Sequence, residues 1–425
     1  MSQCAFSKLS HEQAQNLYAE LQQDYNKYGD MKLNLDMSRG KPCPQQLDLS
    51  NDMVNRNITD FHDSSGMDVR NYGELTGIMD MKIIFAQMLN VDPSSIVVAG
   101  NSSLNLMYDI ISLAMFSGVA QSAQPWSRCG KLKFLCPSPG YDRHFGVTEH
   151  FGFELIGVPL LSTGPDMDVV EALVRDDESI KGMWCVPVFS NPNGAVYSDE
   201  TVKRLASMQT KAKDFLIMCD NAYCVHFLYD KVPETLSIYN ESVKAGNPDR
   251  VIQFASTSKI TFAGAGVSCL SASKGNLAVY QKALAMQTIG FNKVNQLMHA
   301  RFLKNYDNLI NHMKKHADIL RPKFMLVDKI LTEKLEGLEI ASWTKPLGGY
   351  FINFTAPKGT AKRIVELCSK VNVKLTPAGA AFPYGIDHED SQIRIAPSYP
   401  SINELQTASE LLCLCTKMAS LEQVL

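Results

Sequence analysis

A lysine at the end of an apolar segment is the residue with the clearest chemical potential in this chain. Residues 251–255 have the pattern of a short buried strand and lead directly to Lys259, with Ser256 and Ser258 beside it. Burying an unpaired ammonium is costly, so a strand that delivers a lysine indicates a charged partner or a chemical task. The glycines in 264–266 let backbone approach a ligand closely. The alternative is a surface lysine on a loop, the usual place for this residue type.

The surroundings of Lys259 favour one cofactor. Hydroxyl groups beside an amine suit a phosphate held next to an aldehyde, which describes pyridoxal phosphate (PLP) bound to lysine as a Schiff base. An apolar segment at 215–219 leads to Asp220, and a buried Asp needs a cationic partner such as a protonated pyridine nitrogen. Asn191 and Tyr223 are candidates to hydrogen-bond the ring's phenolic oxygen, although each turn taken singly is ordinary. The ordered set predicts PLP.

Two further turns offer groups for the cofactor or a substrate. A short strand pattern turns through Asn101, Ser102 and Ser103 into an apolar helix. Serine at a helix start is an ordinary N-cap, and the same geometry also aims free backbone N–H groups at an anion such as phosphate. Near the start of the chain, a turn that contains Arg39 and Gly40 either lies over the active-site mouth, where Arg39 meets a substrate carboxylate, or is only a loop.

These candidates follow strands of a repeating strand and helix pattern. Strands that are apolar on both faces alternate with helical segments, which predicts an α/β fold with a mostly parallel, seven-stranded sheet flanked by helices. Ligands bind beyond the carboxyl ends of the strands in such sheets, where the candidate residues lie. The predicted strands are 96–100, 132–136, 153–161, 183–189, 215–219, 251–255 and 267–272.

The pattern changes toward the end of the chain. Alternating apolar residues at 338–343, 348–354 and 392–396 are typical of an antiparallel sheet in a second, smaller α+β domain. We therefore predict three parts, which are an N-terminal segment (1–60) packed on the small domain, a large PLP-binding domain (61–310) and a small C-terminal domain (311–425).

Composition excludes several classes of function. The net charge of −3 argues against a nucleic-acid or anionic-membrane partner. The eleven cysteines are scattered without the spacing of a zinc site, which suits buried thiols in a reducing compartment and predicts no metal. No apolar stretch is long enough for a membrane helix, and the first residues lack the apolar core of a signal peptide. We expect a cytoplasmic protein.

Five motifs occur in order across nearly the whole chain, namely Asn-Pro-Asn-Gly (191–194), Asp-Asn-Ala-Tyr (220–223), Ser-Thr-Ser-Lys (256–259), Pro-Leu-Gly-Gly-Tyr-Phe (346–351) and Gln-Ile-Arg-Ile-Ala (392–396). Together they resemble the class I aminotransferases of PLP fold type I. Three variant motifs resemble the divergent aspartate aminotransferase subgroup Ic, namely residues 38–42, 100–109 and 258–266.

The resemblance implies roles for individual residues. Lys259 carries the cofactor and Arg394 grips the substrate α-carboxylate, a bidentate role that lysine fills poorly. Tyr72 matches a tyrosine that reaches the neighbouring cofactor phosphate across a homodimer interface. Tyr141 is the candidate for the aromatic ring stacked on the cofactor, with Phe145 as the second choice.

One position departs from the family pattern. Most class I members have a phosphate-binding arginine eight residues after the lysine, where this chain has Val267. The phosphate then relies on Ser256, Ser258 and residues 101–103, together with a basic residue from elsewhere such as Lys293. We predict a replacement cation because an uncompensated dianion binds poorly.

The implied activity is transfer of an amino group between an amino acid and a 2-oxo acid. Subgroup resemblance favours L-aspartate with 2-oxoglutarate, and Arg39, Arg70, Arg143 and Lys293 are available for a side-chain carboxylate. Aromatic amino acids, 2-aminoadipate and alanine are alternative substrates, and a lyase or decarboxylase reaction is open on the same scaffold. A non-catalytic regulator with this fold is the alternative from another class, and the intact Lys259 argues against it.

Overall fold

The computed structural model describes residues 6–55, 58–231 and 233–425. Its strands are β1 Leu35–Asp36, β2 Ile96–Val98, β3 Lys133–Ser138, β4 Glu154–Leu161, β5 Gly164–Pro165, β6 Ile180–Cys185, β7 Leu216–Asp220, β8 Val251–Ser256, β9 Ser268–Ser271, β10 Ser342–Trp343, β11 Ile352–Thr355, β12 Val373–Lys374 and β13 Gln392–Ile395. Its α-helices are α1 His11–Asp30, α2 Pro44–Asp48, α3 Asn51–Asn55, α4 Met79–Leu89, α5 Ser103–Ser117, α6 Asp142–His150, α7 Met167–Asp176, α8 Asp199–Ser207, α9 Ile238–Lys244, α10 Lys274–Gln287, α11 Lys293–Leu303, α12 Tyr306–Leu335, α13 Ala361–Lys370 and α14 Ile402–Glu422.

The main sheet has eight strands in the order β2-β9-β8-β7-β6-β3-β4-β5. The five strands β8, β7, β6, β3 and β4 are mutually parallel. Strand β9 pairs antiparallel with β8 and with the edge strand β2, and the other edge strand, β5, pairs antiparallel with β4. Every residue of β6 and β7 is buried, because helices cover both faces, and this explains why their sequences are mostly apolar. The exception within β6 is Lys181, which is paired with Asp214. The mostly parallel α/β fold is confirmed. The strand beyond the predicted seven is β5, whose two residues carry no apolar pattern.

The strand order brings four chain segments together. Strands β8, β7, β6 and β3 are neighbours, and being parallel they end at the same edge of the sheet. The residues after these four ends include Lys259, Tyr223, Asn191 and Tyr141. These four residues are far apart in sequence, so the sheet is what places them side by side.

The C-terminal part contains a second sheet, in which β11 pairs antiparallel with β10 and β13. Helices α12, α13 and α14 pack against one another beside it. The N-terminal segment joins this part, since β1 pairs with β12 and α1 packs on α14.

One long helix connects the main part to the C-terminal part. Helix α12 has 30 residues and runs through the predicted domain border between residues 310 and 311. It contains Pro322, which has no N–H to donate to the preceding turn. The two parts are therefore joined by a continuous helix rather than by a flexible linker.

The described residues lack two features, a membrane-spanning helix and a metal-binding cluster. Within those residues no helix is long and apolar enough to cross a membrane. The same part of the chain has no cluster of His, Cys, Asp and Glu that could hold a metal ion.

Candidate active site

A cavity of about 730 Å³ opens where the strand ends meet the C-terminal sheet. Most of the predicted site residues line it. They are Arg39, Gly40, Ser102, Ser103, Tyr141, Asn191, Asp220, Tyr223, Ser256, Ser258, Lys259 and Arg394. The predicted residues that do not line it are Asn101, Tyr72, Arg70, Lys293 and Phe145.

Lys259 follows β8, and its backbone is held from two sides. Its carbonyl accepts hydrogen bonds from His226 Nε2 at 3.3 Å and from the Tyr350 hydroxyl at 3.5 Å, and its Nζ lies 4.8 Å from the centre of the Tyr223 ring. The next carbonyl, of Ile260, accepts from His312 Nε2 at 2.8 Å. Burial lowers the pKa of His226 to about 3, so this ring is neutral and acts as a donor.

Asp220 ends β7 and is 5% exposed. Its Oδ2 lies 3.0 Å from His144 Nε2, whereas its Oδ1 is buried without a hydrogen-bond partner in the described structure. A buried, unpaired carboxylate oxygen is costly, so Oδ1 suits a cationic N–H donor that enters the cavity. A protonated pyridine nitrogen is such a donor, and Asp220 therefore fits PLP.

Sequence reasoning missed His144. Its ring stacks on Trp184 with 4.5 Å between ring centres, which fixes the imidazole beside Asp220. No local pattern reveals this contact, because the two residues are 76 positions apart. The available signal was the apolar pattern of helix α6, which puts His144 on the buried face with Phe145.

Arg394 projects from β13 into the same cavity. Its Nη1 donates to Asp142 Oδ1 at 3.1 Å and lies 3.4 Å from Asn191 Oδ1, and its Nε donates to Thr376 Oγ1 at 3.3 Å. The guanidinium also lies over the Phe351 ring, 5.0 Å from its centre. The arginine is therefore held in one orientation with its fork toward the cavity.

Gly40 has a steric reason to be glycine. A Cβ at this position would lie 2.3 Å from Cζ of Phe351, a distance at which the ring would have to move. Because Phe351 supports the Arg394 guanidinium, the turn around Gly40 can close over the cavity only without a side chain there.

The N-terminus of α5 and the serines near Lys259 form one end of the cavity. Ser258 Oγ donates to the Asn101 carbonyl at 3.2 Å, which ties the two segments together. Ser102 is the N-cap residue of α5 and makes no side-chain capping bond, so its hydroxyl and the first N–H groups of the helix are available to an anion.

Lys293 is not the replacement cation within its own chain. It is buried, and its Nζ donates to the carbonyls of Asn71 and Gly73 at 2.8 and 2.7 Å. It lines a separate cavity of about 510 Å³ together with Tyr72. Val267 is buried in the core, and its N–H donates to Thr257 Oγ1.

Tyr72 is 83% exposed and does not reach the cavity of its own chain. Tyr141 does line that cavity, and burial raises its pKa to about 12. Phe145, the second choice for the stacked ring, lies behind it in the core. Of these two aromatic residues, Tyr141 is the one that a bound ring can contact.

Known proteins similar to this chain cover almost all of it. A family model described as aspartate amino-transferase matches residues 9–425. An aspartate aminotransferase of Corynebacterium glutamicum is 43% identical over 99% of this chain and 98% of its own, and an aminotransferase of Mycolicibacterium smegmatis is 46% identical over 98% and 96%.

Solved structures agree with the family match. The crystal structure of an aspartate transaminase from Corynebacterium glutamicum has a TM-score of 0.97 and 42% identity, with full coverage of both chains. An α-aminoadipate aminotransferase from Thermus thermophilus has the same fold, with a TM-score of 0.75, 18% identity, and coverage of 95% of this chain and 96% of its own. The chain therefore belongs to the aspartate amino-transferase family and is a transaminase of PLP fold type I.

Proposed function

We propose that this chain is a PLP-dependent aspartate aminotransferase that converts L-aspartate and 2-oxoglutarate to oxaloacetate and L-glutamate. The observation that carries the proposal is the unpaired Oδ1 of Asp220, which shares a cavity with Lys259. The substrate pair is favoured by the 43% identical relative, an aspartate aminotransferase.

The residues present fit PLP at its aldehyde, its ring nitrogen, its ring oxygen and its ring face. Lys259 would bind it covalently and Asp220 would hold its pyridine nitrogen protonated. Asn191 and Tyr223 would hydrogen-bond its ring oxygen, and Tyr141 would stack on the ring. The phosphate would bind to Ser256, to Ser258 and to the start of α5, where Ser102 and Ser103 lie.

Different residues of the chain bind the substrate, remove its proton and donate hydrogen bonds to the cofactor. When bound, PLP draws away the electrons released at the substrate Cα. Arg394 binds the α-carboxylate and orients the Cα–H bond toward Lys259, whose Nζ removes the proton as general base. Burial raises the pKa of Tyr223, so its hydroxyl stays protonated and acts as a donor.

The predicted cations for a substrate side-chain carboxylate separate into two groups. Arg39 and Arg143 line the Lys259 cavity and are exposed. Arg70 is paired with Asp68 at 2.6 Å and lines the Tyr72 cavity with Lys293. Within one chain, we infer that Arg39 and Arg143 select a dicarboxylate.

We infer a homodimer with active sites at its interface. Large apolar side chains are exposed at Phe116 near the end of α5, at Met286 near the end of α10 and at Ile289 just after it. A partner subunit would cover them and accept Tyr72 at its cofactor phosphate.

The partners in the reaction are small amino acids and 2-oxo acids. The cysteines of the described chain are free, which supports a reducing, cytoplasmic compartment.

The test is the absorption spectrum of the purified protein with added PLP. We expect a yellow band from the lysine-bound cofactor that bleaches with L-aspartate and L-glutamate. Bleaching only with tyrosine, 2-aminoadipate or alanine would contradict the substrate pair and keep the transaminase. Release of CO₂ or of an unsaturated acid would indicate a decarboxylase or a lyase. Absence of any band would overturn the PLP proposal and favour a non-catalytic regulator.

A further inference from the structure

The arginine that is proposed to bind the substrate α-carboxylate already forms an ion pair with an acidic side chain. Arg394 Nη1 donates to Asp142 Oδ1 at 3.1 Å. The Arg394 side chain is 9% exposed and that of Asp142 is 38% exposed. Asp142 begins α6 beside the main sheet, and Arg394 lies on β13 of the second sheet, so this ion pair links the two parts of the molecule.

Three of the five N–H groups of Arg394 are hydrogen-bonded within the chain. Nε donates to Thr376 Oγ1, and Nη1 faces both Asp142 and Asn191. Only Nη2 has no hydrogen-bond partner among the described residues. A carboxylate that binds an arginine as a two-pronged ligand needs two parallel N–H groups, one of them from Nη1 or Nε. An incoming α-carboxylate therefore competes with a group that is already bound.

Asp142 is the partner that can leave. Thr376 is tied down because its hydroxyl donates to the Ser38 carbonyl at 2.8 Å, and Asn191 is buried. Asp142 is partly exposed and is the first residue of α6, where the helix dipole favours a negative charge with or without Arg394. Release of its carboxylate to water costs less than removal of either neutral partner.

We propose that Asp142 is an internal competitor for Arg394, a residue whose carboxylate must be displaced before a substrate carboxylate binds. The inference rests on the proposed role of Arg394 as the α-carboxylate ligand. While the site is empty, Asp142 compensates the charge of an arginine that is almost completely buried. When a carboxylate ligand binds, it replaces Asp142 and takes over that compensation.

This exchange predicts two effects of opposite sign in Asp142→Asn. The variant has lower thermal stability, because the buried guanidinium loses its ionic partner. It nevertheless binds carboxylates more tightly, since no competing charge has to be displaced. If Asp142 is released in about one tenth of the free molecules, the dissociation constant falls about tenfold. KM for the amino acid falls by the same factor and kcat is unchanged, because substrate and transition state both gain relative to free enzyme.

The experiment is calorimetric titration of the PLP-loaded enzyme with succinate, which has both carboxylates and no amine. The same titration with 3-phenylpropionate supplies one carboxylate on an uncharged body. Tighter binding of either acid to Asp142→Asn than to the unchanged enzyme supports the inference. Equal or weaker binding overturns it, and weaker binding would show that Asp142 positions Arg394 instead. If neither acid binds to the variant, the inference also fails.

Three further variants make the result specific. Glu149→Gln removes an exposed carboxylate from the same helix and should leave the dissociation constants unchanged. When Arg394→Lys is added to Asp142→Asn, the gain in carboxylate affinity should disappear, because lysine lacks the two parallel N–H groups of arginine. Asp142→Ser repeats the test if the asparagine variant does not fold. The dicarboxylate proposal fails separately, when succinate binds no better than 3-phenylpropionate while the effect of Asp142 persists.

Discussion

The floor and the rim of the cavity are built in different ways. On the floor, Asp220, Tyr223 and Asn191 are buried, and contacts with His144 and Arg394 fix two of them. On the rim, Arg39 and Arg143 are exposed. The groups assigned to bond breaking are thus fixed by the core of one chain, whereas those assigned to substrate choice are exposed to solvent. Changes to the floor should remove catalysis, and changes to the rim should shift affinity.

The largest effect is expected from Lys259→Ala. It removes both the covalent anchor and the general base, so kcat should fall by about 10⁴-fold or more. Single-turnover measurement of amino-group transfer from L-aspartate checks this. Lys274→Ala, which changes an exposed lysine at the start of α10, is the matched control and should have normal rates. Retained transamination in the Lys259 variant would disprove the assignment.

Asp220→Asn should lower kcat by about 10² to 10³-fold, because an amide cannot hold a proton on the pyridine nitrogen as a carboxylate does. The effect should appear in kcat more than in KM, as expected for a group on the floor. Steady-state kinetics with L-aspartate measure both. A change below tenfold would show that the unpaired Oδ1 faces another group.

Tyr72→Phe tests whether the phosphate end of the cavity depends on a partner subunit. If Tyr72 donates to the phosphate in the neighbouring site, losing its hydroxyl should weaken PLP binding about tenfold. Fluorescence titration of the apoenzyme with PLP measures this constant. Tyr108→Phe is the control, since Tyr108 is exposed on α5 and does not line the Tyr72 cavity. Equal affinity in both variants would count against the shared site.

The smallest effect concerns pH and the support beneath Lys259. Burial lowers the pKa of His226 to about 3, whereas an unfolded histidine titrates near 6.5. Between these values the unfolded chain binds a proton that the folded chain does not, so the free energy of unfolding decreases as pH falls from about 6.5. In His226→Gln we expect this loss between pH 7 and 5.5 to be smaller by about 1 kcal/mol.

Urea denaturation at both pH values measures the difference. His150→Gln, which removes an exposed histidine, should keep the full pH dependence. An unchanged dependence in His226→Gln would mean that the ring is charged in the folded chain.

The sequence predicted the residues on the cavity floor better than the residues that hold them in place. Lys259 and Asp220 follow apolar strands, and the end of a parallel strand is a location that a pattern can identify. His144 and Asp142 were not foreseen, because their contacts join residues 76 and 252 positions apart and leave no local trace. The sequence did not show that Lys293 lies outside the Lys259 cavity of its own chain. Its hydrogen-bond acceptors are backbone carbonyls, and every residue has one.

The long elements of the fold were also easier to predict than the short strand β5 and the domain border. Continuous apolar runs indicated β6 and β7, while the two-residue strand β5 had too little sequence to form a pattern. The border at residue 310 was inferred from a change in pattern. Helix α12 crosses it without interruption, because its buried face packs on both parts.

The continuity of α12 has a mechanical consequence. Its 30 residues make a rod of about 45 Å, and His312 near one end contacts the Ile260 carbonyl beside Lys259. The turn before Pro322 lacks one backbone hydrogen bond, which makes it the least stiff point of the helix. A stiff helix thus couples the segment that follows Lys259 to the C-terminal helix α14, and any change in the angle between the two parts would have to bend it.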